Sequence, residues 1–320
     1  MITQEQIKIF DKKIRAAKSV ALFAHKNPDG DALCSVIALG RLIELNYGKE
    51  VTCIYDGNIP DNLDYVPFRK QAQYFEHVPD DMTVDVAIAM DYGIIRNIGG
   101  TQKFADRAKF IIEIDHHIND DKIGALCIDD VNAAATAEII YDLMIAAGWK
   151  WDLDIGVLIM TAIITDTGCF KYVKDGKVMR IVADLVDAGV DIQQIINDLG
   201  NKPRKTIVTE AASVGAAEFL FKNKLALAII DSKQYKNLDG RGETVLNLLG
   251  QVRGLEYIVL LKEQKPNQVG VSLRGRGKPV DKIAAALGGG GHEFAAGAIV
   301  HDTLESVKNR ILELFKKELR

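Results

Sequence analysis

Short apolar runs that end abruptly in acids or histidines alternate with longer stretches of helical spacing through the first half of the chain. The sharpest is Ile111-Ile112-Glu113-Ile114-Asp115-His116-His117. A strand-like run absorbs three titratable groups in a row only if they emerge at its end. Two other runs finish the same way. Residues 19–24 deliver His25, Asn27, Asp29 and Asp31, and residues 84–90 deliver Asp91. Residues 51–55 and 125–128 add further strand patterns, and between them come helical stretches such as 31–46, stopped by Tyr47-Gly48. Strands interleaved with helices predict an α/β fold with a doubly wound parallel sheet and right-handed crossovers. Ligands of such sheets bind beyond the carboxyl ends of the strands, where these acids and histidines collect.

From residue 132 the pattern turns helical. Residues 132–147 form an apolar-faced helix closed by Gly148, and 153–165 have helical length but heavy β-branching. Residues 178–188 and 192–199 read as short helices, and 203–221 as a longer one. The grammar then changes, with strands at 225–230, 257–261 and 268–273 and helices at 243–252, 281–287 and 304–319. The expected organisation is an α/β domain over 1–190, a helical linker over 191–222 and a smaller α+β domain over 223–320. A length of 320 residues suits two cores better than one.

Net charge is −4, with 44 acidic against 40 basic residues, which disfavours long duplex nucleic acid as a partner. Cys34, Cys53, Cys127 and Cys169 show no CxxC spacing, so neither a zinc knuckle nor a disulfide framework is expected. The N-terminal stretch alternates charge and lacks a signal peptide's apolar core, and no run approaches the roughly 20 residues of a membrane helix. A soluble, cytoplasmic protein is expected.

Three strand ends carrying acids and imidazoles read as one metal site. Asp31 alone is readable as the cap of the following helix, a role that His25 and Asp29 are not expected to fill. Asp91 alone is readable as a polar exit residue. Beside the other two strand ends, it becomes the natural carboxylate to span two cations about 3.5–4 Å apart. Asp166 ends an apolar segment, where a charge needs a partner or a metal. Imidazole and carboxylate without thiolate suit manganese, and also admit magnesium, cobalt or zinc. Two such ions make phosphoester hydrolysis the chemistry to expect. In the second domain Arg274 and Arg276 end a strand, and Gly288-Gly289-Gly290-Gly291-His292 follows a helix. Arginine forks and free glycine N–H groups both suit an anion, although a glycine run is also an ordinary helix terminus. His77 and His301 read as surface residues.

Taken together, Asp115-His116-His117 with His25, Asp29, Asp31, Asp91 and Thr165-Asp166-Thr167-Gly168 resembles the DHH phosphoesterase superfamily. The stretch from Gly288 to Gly297 is similar to its associated C-terminal domain. Length and the GGGH motif resemble most the bacterial oligoribonuclease (nanoRNase)/pAp phosphatase group. The resemblance implies two manganese ions, one on His25, Asp29 and Asp91, the other on Asp31, Asp91, His116 and Asp166. It also implies that His117 lies near the scissile phosphate, that Asp115 supports the metal-binding histidine, and that Arg274, Arg276, Gly290, Gly291 and His292 hold substrate. Three places depart from the family pattern: Cys34 for a usual Gly, Gly275 for a Ser, and Tyr172-Val173-Lys174-Asp175 for a Ser-Asn-Thr region. None removes a metal ligand.

The expected activity is hydrolysis of short single-stranded oligonucleotides or small nucleotide phosphates by an exonuclease-like phosphodiesterase using a metal-activated hydroxide. A homodimer is admitted. A cyclic-dinucleotide phosphodiesterase would share the same ligands, and a nucleotide-binding regulatory module is the non-catalytic alternative. With no cluster of lysine and arginine interleaved with aromatics expected in the chain, long RNA is disfavoured.

Overall fold

The computed structural model describes residues 2–238 and 242–319, and of His292 the backbone only. These residues form two units that divide between Asn201 and Lys202. The first contains α1 (Gln4–Ala16), β1 (Val20–Phe23), α2 (Gly30–Tyr47), β2 (Val51–Tyr55), β3 (Gln73–Tyr74), β4 (Val86–Met90) and α3 (Gln102–Arg107). It continues with β5 (Phe110–Ile114), β6 (Leu126–Cys127), α4 (Thr136–Ala146), α5 (Leu153–Asp166), α6 (Lys177–Asp187) and α7 (Ile192–Gly200).

Every strand pair in this unit is parallel, and the order is β3-β2-β1-β4-β5-β6. The chain winds outward from β1 in one direction and from β4 in the other, so the topological switch point lies between β1 and β4. His25 follows one of these strands and Asp91 the other. Both strands are buried along their whole length, as expected where helices cover the two faces of a sheet. Leu22, Ile88 and Ile112 pack on one side with α2, α4 and α5. Phe23, Ala87 and Ala89 pack on the other with Phe104 of α3.

The β-branched stretch at 153–165 is indeed helical. Burial of Ile155, Leu158, Ile159, Ile163 and Ile164 inside the unit outweighs the modest propensity cost of branching at Cβ. The start of α2 rests against the end of this helix at Gly30. A Cβ there would stand 2.4 Å from the Thr165 hydroxyl, so only glycine permits the approach that brings Asp31 and Asp166 together.

The second unit contains α8 (Arg204–Gly215), β7 (Glu218–Leu220), β8 (Leu225–Ile230), α9 (Ser232–Tyr235), α10 (Glu243–Leu249) and β9 (Tyr257–Lys265). After these come β10 (Gln268–Gly275), α11 (Asp281–Ala286), β11 (Gly290–His292), β12 (Ala295–Val300) and α12 (Leu304–Glu318). Its sheet runs β11-β12-β10-β9-β8-β7 and is mixed, with β8 and β9 parallel and the other pairs antiparallel. Three of these strands have no counterpart in the sequence pattern. Glycine and alanine dominate β11 and β12, so no alternation of large side chains announces them, and hydrogen bonding to β10 and to each other decides their state.

The helical stretch expected as a linker is shared between the units. Ile195 of α7 is buried in the first core. In the second unit, Glu210 of α8 is buried against Lys202 at 2.8 Å, and Thr206 donates to the Asn237 carbonyl. Among the described residues no helix is long and apolar enough to cross a membrane.

Candidate metal centre

The loop after β1 is held by its neighbours. Lys26 N donates to the Asn97 carbonyl at 2.6 Å and Asn27 N to the Asp56 carbonyl at 2.7 Å, with Asn27 itself left-handed at φ 54°. His25 thereby faces Asp29 at 3.7 Å and Asp91 at 3.9 Å. The helix cap is Asp29 and not Asp31: its Oδ1 accepts from Ala32 N at 3.2 Å. Because the helix already begins at Gly30, Asp31 lies in the first turn and points inward. It is 1% exposed and accepts from Ser35 Oγ at 2.9 Å, Thr136 N at 2.6 Å and Ala137 N at 3.2 Å. Asp29 therefore caps the helix with one oxygen and turns the other toward His25.

Asp91 occupies the centre. Its amide continues the ladder to the Ile114 carbonyl, while φ 49° turns the chain out of the strand, a left-handed conformation that Asp tolerates better than most residues. One carboxylate oxygen lies 3.9 Å from His25, and the other 3.5 Å from His116 and 3.4 Å from His117. His116 also reaches Asp166 at 3.4 Å and Asp31 at 4.0 Å. Donor atoms of His25, Asp29 and Asp91 lie within 4.8 Å of one another, as do those of Asp31, His116 and Asp166. All six residues expected to ligate metal are thus brought to one place.

Asp115 has a different position from these six. It is fully buried. Oδ2 accepts from Tyr92 N and Gly93 N at 3.0 and 2.8 Å, and Oδ1 accepts from His117 N at 2.9 Å and faces His117 Nδ1 at 2.8 Å. A carboxylate on Nδ1 orients the ring and sets which nitrogen carries the proton. The supported histidine is therefore His117. His116, expected as the beneficiary, has its Nδ1 3.3 Å from the Ala133 carbonyl.

Burial tends to keep His25 neutral, but Asp29 and Asp91 outweigh it and lift the imidazole to about 9. His116 is raised in the same way by Asp91, Asp31 and Asp166 against its burial. Asp31 is pushed well above the carboxylate range by burial and by Asp91 and Asp166. Asp115 goes the other way: burial is overcome by its bonds from His117 and Gly93, which hold it low. Among the described residues, Asp31, Asp91 and Asp166 form no ion pair with lysine or arginine. Asp31 and Asp166, both raised by burial and by neighbouring carboxylates, converge with Asp91 beside imidazoles at ligand spacing, an arrangement that fits divalent cations.

Sequence reading missed the residues that steady this site. Thr136 supports Asp31 through its amide and Asp91 through Oγ1 at 3.2 Å. Asp129 accepts from Asp115 N at 3.1 Å, and Lys122 spans Asp129 and the buried Glu113 at 2.9 and 3.0 Å. Lys122 thus supplies the positive charge between Glu113 and Asp129. Nothing local in the sequence marks Thr136, which lies 105 positions from Asp31.

The sequence pattern of the DHH family, N-terminal domain, matches residues 19–165, and that of the DHHA1 domain matches residues 230–320. The chain belongs to the DHH family. It is a phosphoesterase, a hydrolase, of that family. It is 28% identical over 319 residues to the "Bifunctional oligoribonuclease and PAP phosphatase NrnA" of Thermus thermophilus, covering 98% of this chain and 95% of that one. A Bacillus subtilis protein of the same name is 24% identical, with 92% of each chain covered. The fold also matches the crystal structure of an exopolyphosphatase-related protein from Bacteroides fragilis, with a TM-score of 0.91 at 24% identity over 100% of this chain and 98% of that one.

In the DHHA1 domain, Arg274 is engaged by Glu243 through Nη2 at 2.8 and 3.0 Å, and Arg276 donates to the Val252 carbonyl at 2.8 Å. The glycine run is not one open loop of free N–H groups. Gly288 and Gly289 donate to the Ala285 and Ala284 carbonyls and close α11, while Gly290, Gly291 and His292 pair with β12 as an edge strand. Two of the four glycines thus serve as the helix terminus that a glycine run ordinarily marks. The side chain of His292 lies outside the described residues. His77 and His301 are exposed.

Proposed function

We propose that the protein hydrolyses phosphoester bonds in short single-stranded oligonucleotides and in small nucleotide phosphates such as pAp, with two divalent cations, manganese in the first instance. The observation that carries the reading is Asp91, whose two carboxylate oxygens face different imidazoles, each within a separate cluster of acids. On this reading His25, Asp29 and Asp91 hold one cation, and Asp31, Asp91, His116 and Asp166 the other. Such cations, when bound, stabilise charge on the phosphoryl oxygens and lower the pKa of water.

The protein's own groups do the rest. Asp31 and Asp91 are immobilised by Ser35 and Thr136, so the ligand oxygens need no reorganisation. His117, oriented by Asp115, is 28% exposed at its side chain and is assigned to donate to a substrate phosphoryl or leaving oxygen. Arg274 is assigned to a substrate phosphate, which takes the place of Glu243 on its guanidinium, with Arg276, Gly290, Gly291 and His292 as neighbouring contacts.

The test is kcat/KM with manganese on pAp, a dinucleotide, RNA of about five and about twenty-four nucleotides, a series running from below to above the roughly 4–16 nucleotides of a typical single-strand module, and a cyclic dinucleotide. Turnover of pAp and the dinucleotide, falling with length, supports the proposal. A flat or rising length profile, or the cyclic dinucleotide as preferred substrate, refutes it.

A further inference from the structure

One exposed segment beside the metal centre is not absorbed by this chemistry. Asp166 ends α5, and the chain then turns through three successive left-handed residues, Gly168, Cys169 and Phe170, at φ 57°, 57° and 66°. Two of these are not glycine, and such conformations persist only where the surroundings impose them. The surroundings are visible. Buried Thr167 donates through Oγ1 to the Ile163 carbonyl at 2.6 Å and accepts from Phe170 N at 3.0 Å. Cys169 N bonds to the Ile164 carbonyl and Tyr172 N to the Thr167 carbonyl, while Phe170 packs on the core. Lys174 Nζ donates to the carbonyl of Val131, two residues from the Ala133 carbonyl that faces His116.

The product of this bracing is an aromatic ring held in water. Tyr172 is 66% exposed, and its ring lies over Gly168, with Cε2 2.9 Å from where a Cβ would stand. Lys171, beside it, is also exposed. Phe170-Lys171-Tyr172-Val173-Lys174 is therefore a short basic and aromatic strip, contrary to the expectation that the chain has none. Beyond its contact with Gly168, the Tyr172 ring is left mostly to solvent. An exposed ring next in the chain to exposed Lys171 has the chemistry of a nucleobase platform, because every base offers a π-face and its neighbouring phosphates offer negative charge.

We infer that Tyr172 stacks against the base adjoining the scissile phosphate, with Lys171 beside that nucleotide's backbone. This rests on the reading of the protein as a nucleotide phosphoesterase, and it makes Tyr172 a determinant of preference for nucleotides over other phosphodiesters.

The experiment is steady-state kinetics of the manganese-loaded protein on a 5′-phosphorylated diadenylate and on the same compound lacking both bases. Tyr172→Ala raises KM for the diadenylate about 5- to 150-fold, the span of base–aromatic stacking, with kcat changed less than about twofold. Tyr172→Phe restores KM, because the ring and not the hydroxyl is used. On the abasic compound wild type and Tyr172→Ala coincide. An unchanged KM in Tyr172→Ala, an equal loss on both compounds, or a Tyr172→Phe as impaired as Tyr172→Ala overturns the inference. Failure of the wild type on every nucleotide overturns the underlying reading instead, so the two failures are distinct.

Discussion

Replacing Asp115 with asparagine keeps shape and volume but changes what the side chain can accept. In the structure each oxygen serves two donors: Tyr92 N and Gly93 N on one side, His117 N and Nδ1 on the other. An amide carries one oxygen. With its NH2 toward Tyr92 N and Gly93 N it strands two donors; with its NH2 toward His117 it strands His117 N, while Nδ1 can accept from it by changing tautomer. A stranded buried donor costs about 1–3 kcal/mol, so the better orientation still loses about 1–3 kcal/mol. For a unit of this size each kcal/mol lowers the melting temperature by about 2–4 °C, so a fall of at least about 2 °C is expected. Activity falls as well, by about 10- to 100-fold, as is usual when the partner orienting a functional histidine is lost. Differential scanning calorimetry and kinetics on one short substrate measure both effects.

The pH dependence has a definite sign. The Asp115 carboxyl is held below its ordinary 3.8, so its contribution is complete above that value and disappears as pH falls through the lower folded value. The stability gap between wild type and Asp115→Asn therefore narrows below about pH 4. A melting temperature within about 1 °C of wild type at neutral pH, with undiminished turnover, refutes the reasoning.

Asp91→Asn, which tolerates the left-handed backbone, removes the shared carboxylate. Manganese at 100 times its dissociation constant stabilises wild type by about 2.7 kcal/mol, and this thermal shift and turnover are both lost in the variant; retention of either counts against Asp91 as a shared ligand. Glu243→Gln weakens the hold on Arg274, so KM for a nucleotide falls, whereas Arg274→Ala raises it; movement in the same direction refutes the competition between Glu243 and substrate. Lys122→Met leaves Glu113 and Asp129 without their cation, and because Lys122 is itself 35% exposed the loss is set at about 1–3 kcal/mol, below that of a fully buried pair. A urea midpoint unchanged in Lys122→Met, or as low in Lys122→Arg, shows that the bridge contributes nothing.

What the residues determined unaided is the architecture of the first unit and which acids and imidazoles converge at its candidate metal centre. Each strand there is an apolar run closed by ionisable groups, and a parallel sheet buried on both faces leaves such groups only the strand ends. The pattern that makes β1, β4 and β5 therefore also announces His25, Asp91 and His116. Asp166 was legible for a related reason, as a charge at the end of a buried helix. Tertiary structure alone decided the rest. Whether Asp29 or Asp31 caps α2 depends on where the helix starts, and so on the contact between Gly30 and Thr165. Thr136 and Asp129 support carboxylates through bonds that local sequence does not encode. The glycine run becomes part helix terminus and part edge strand because β12 lies alongside it. The strip around Tyr172 gains its meaning from a left-handed turn that no periodicity signals. Periodicity records which face of an element is buried, whereas these roles depend on which distant backbone group meets each side chain.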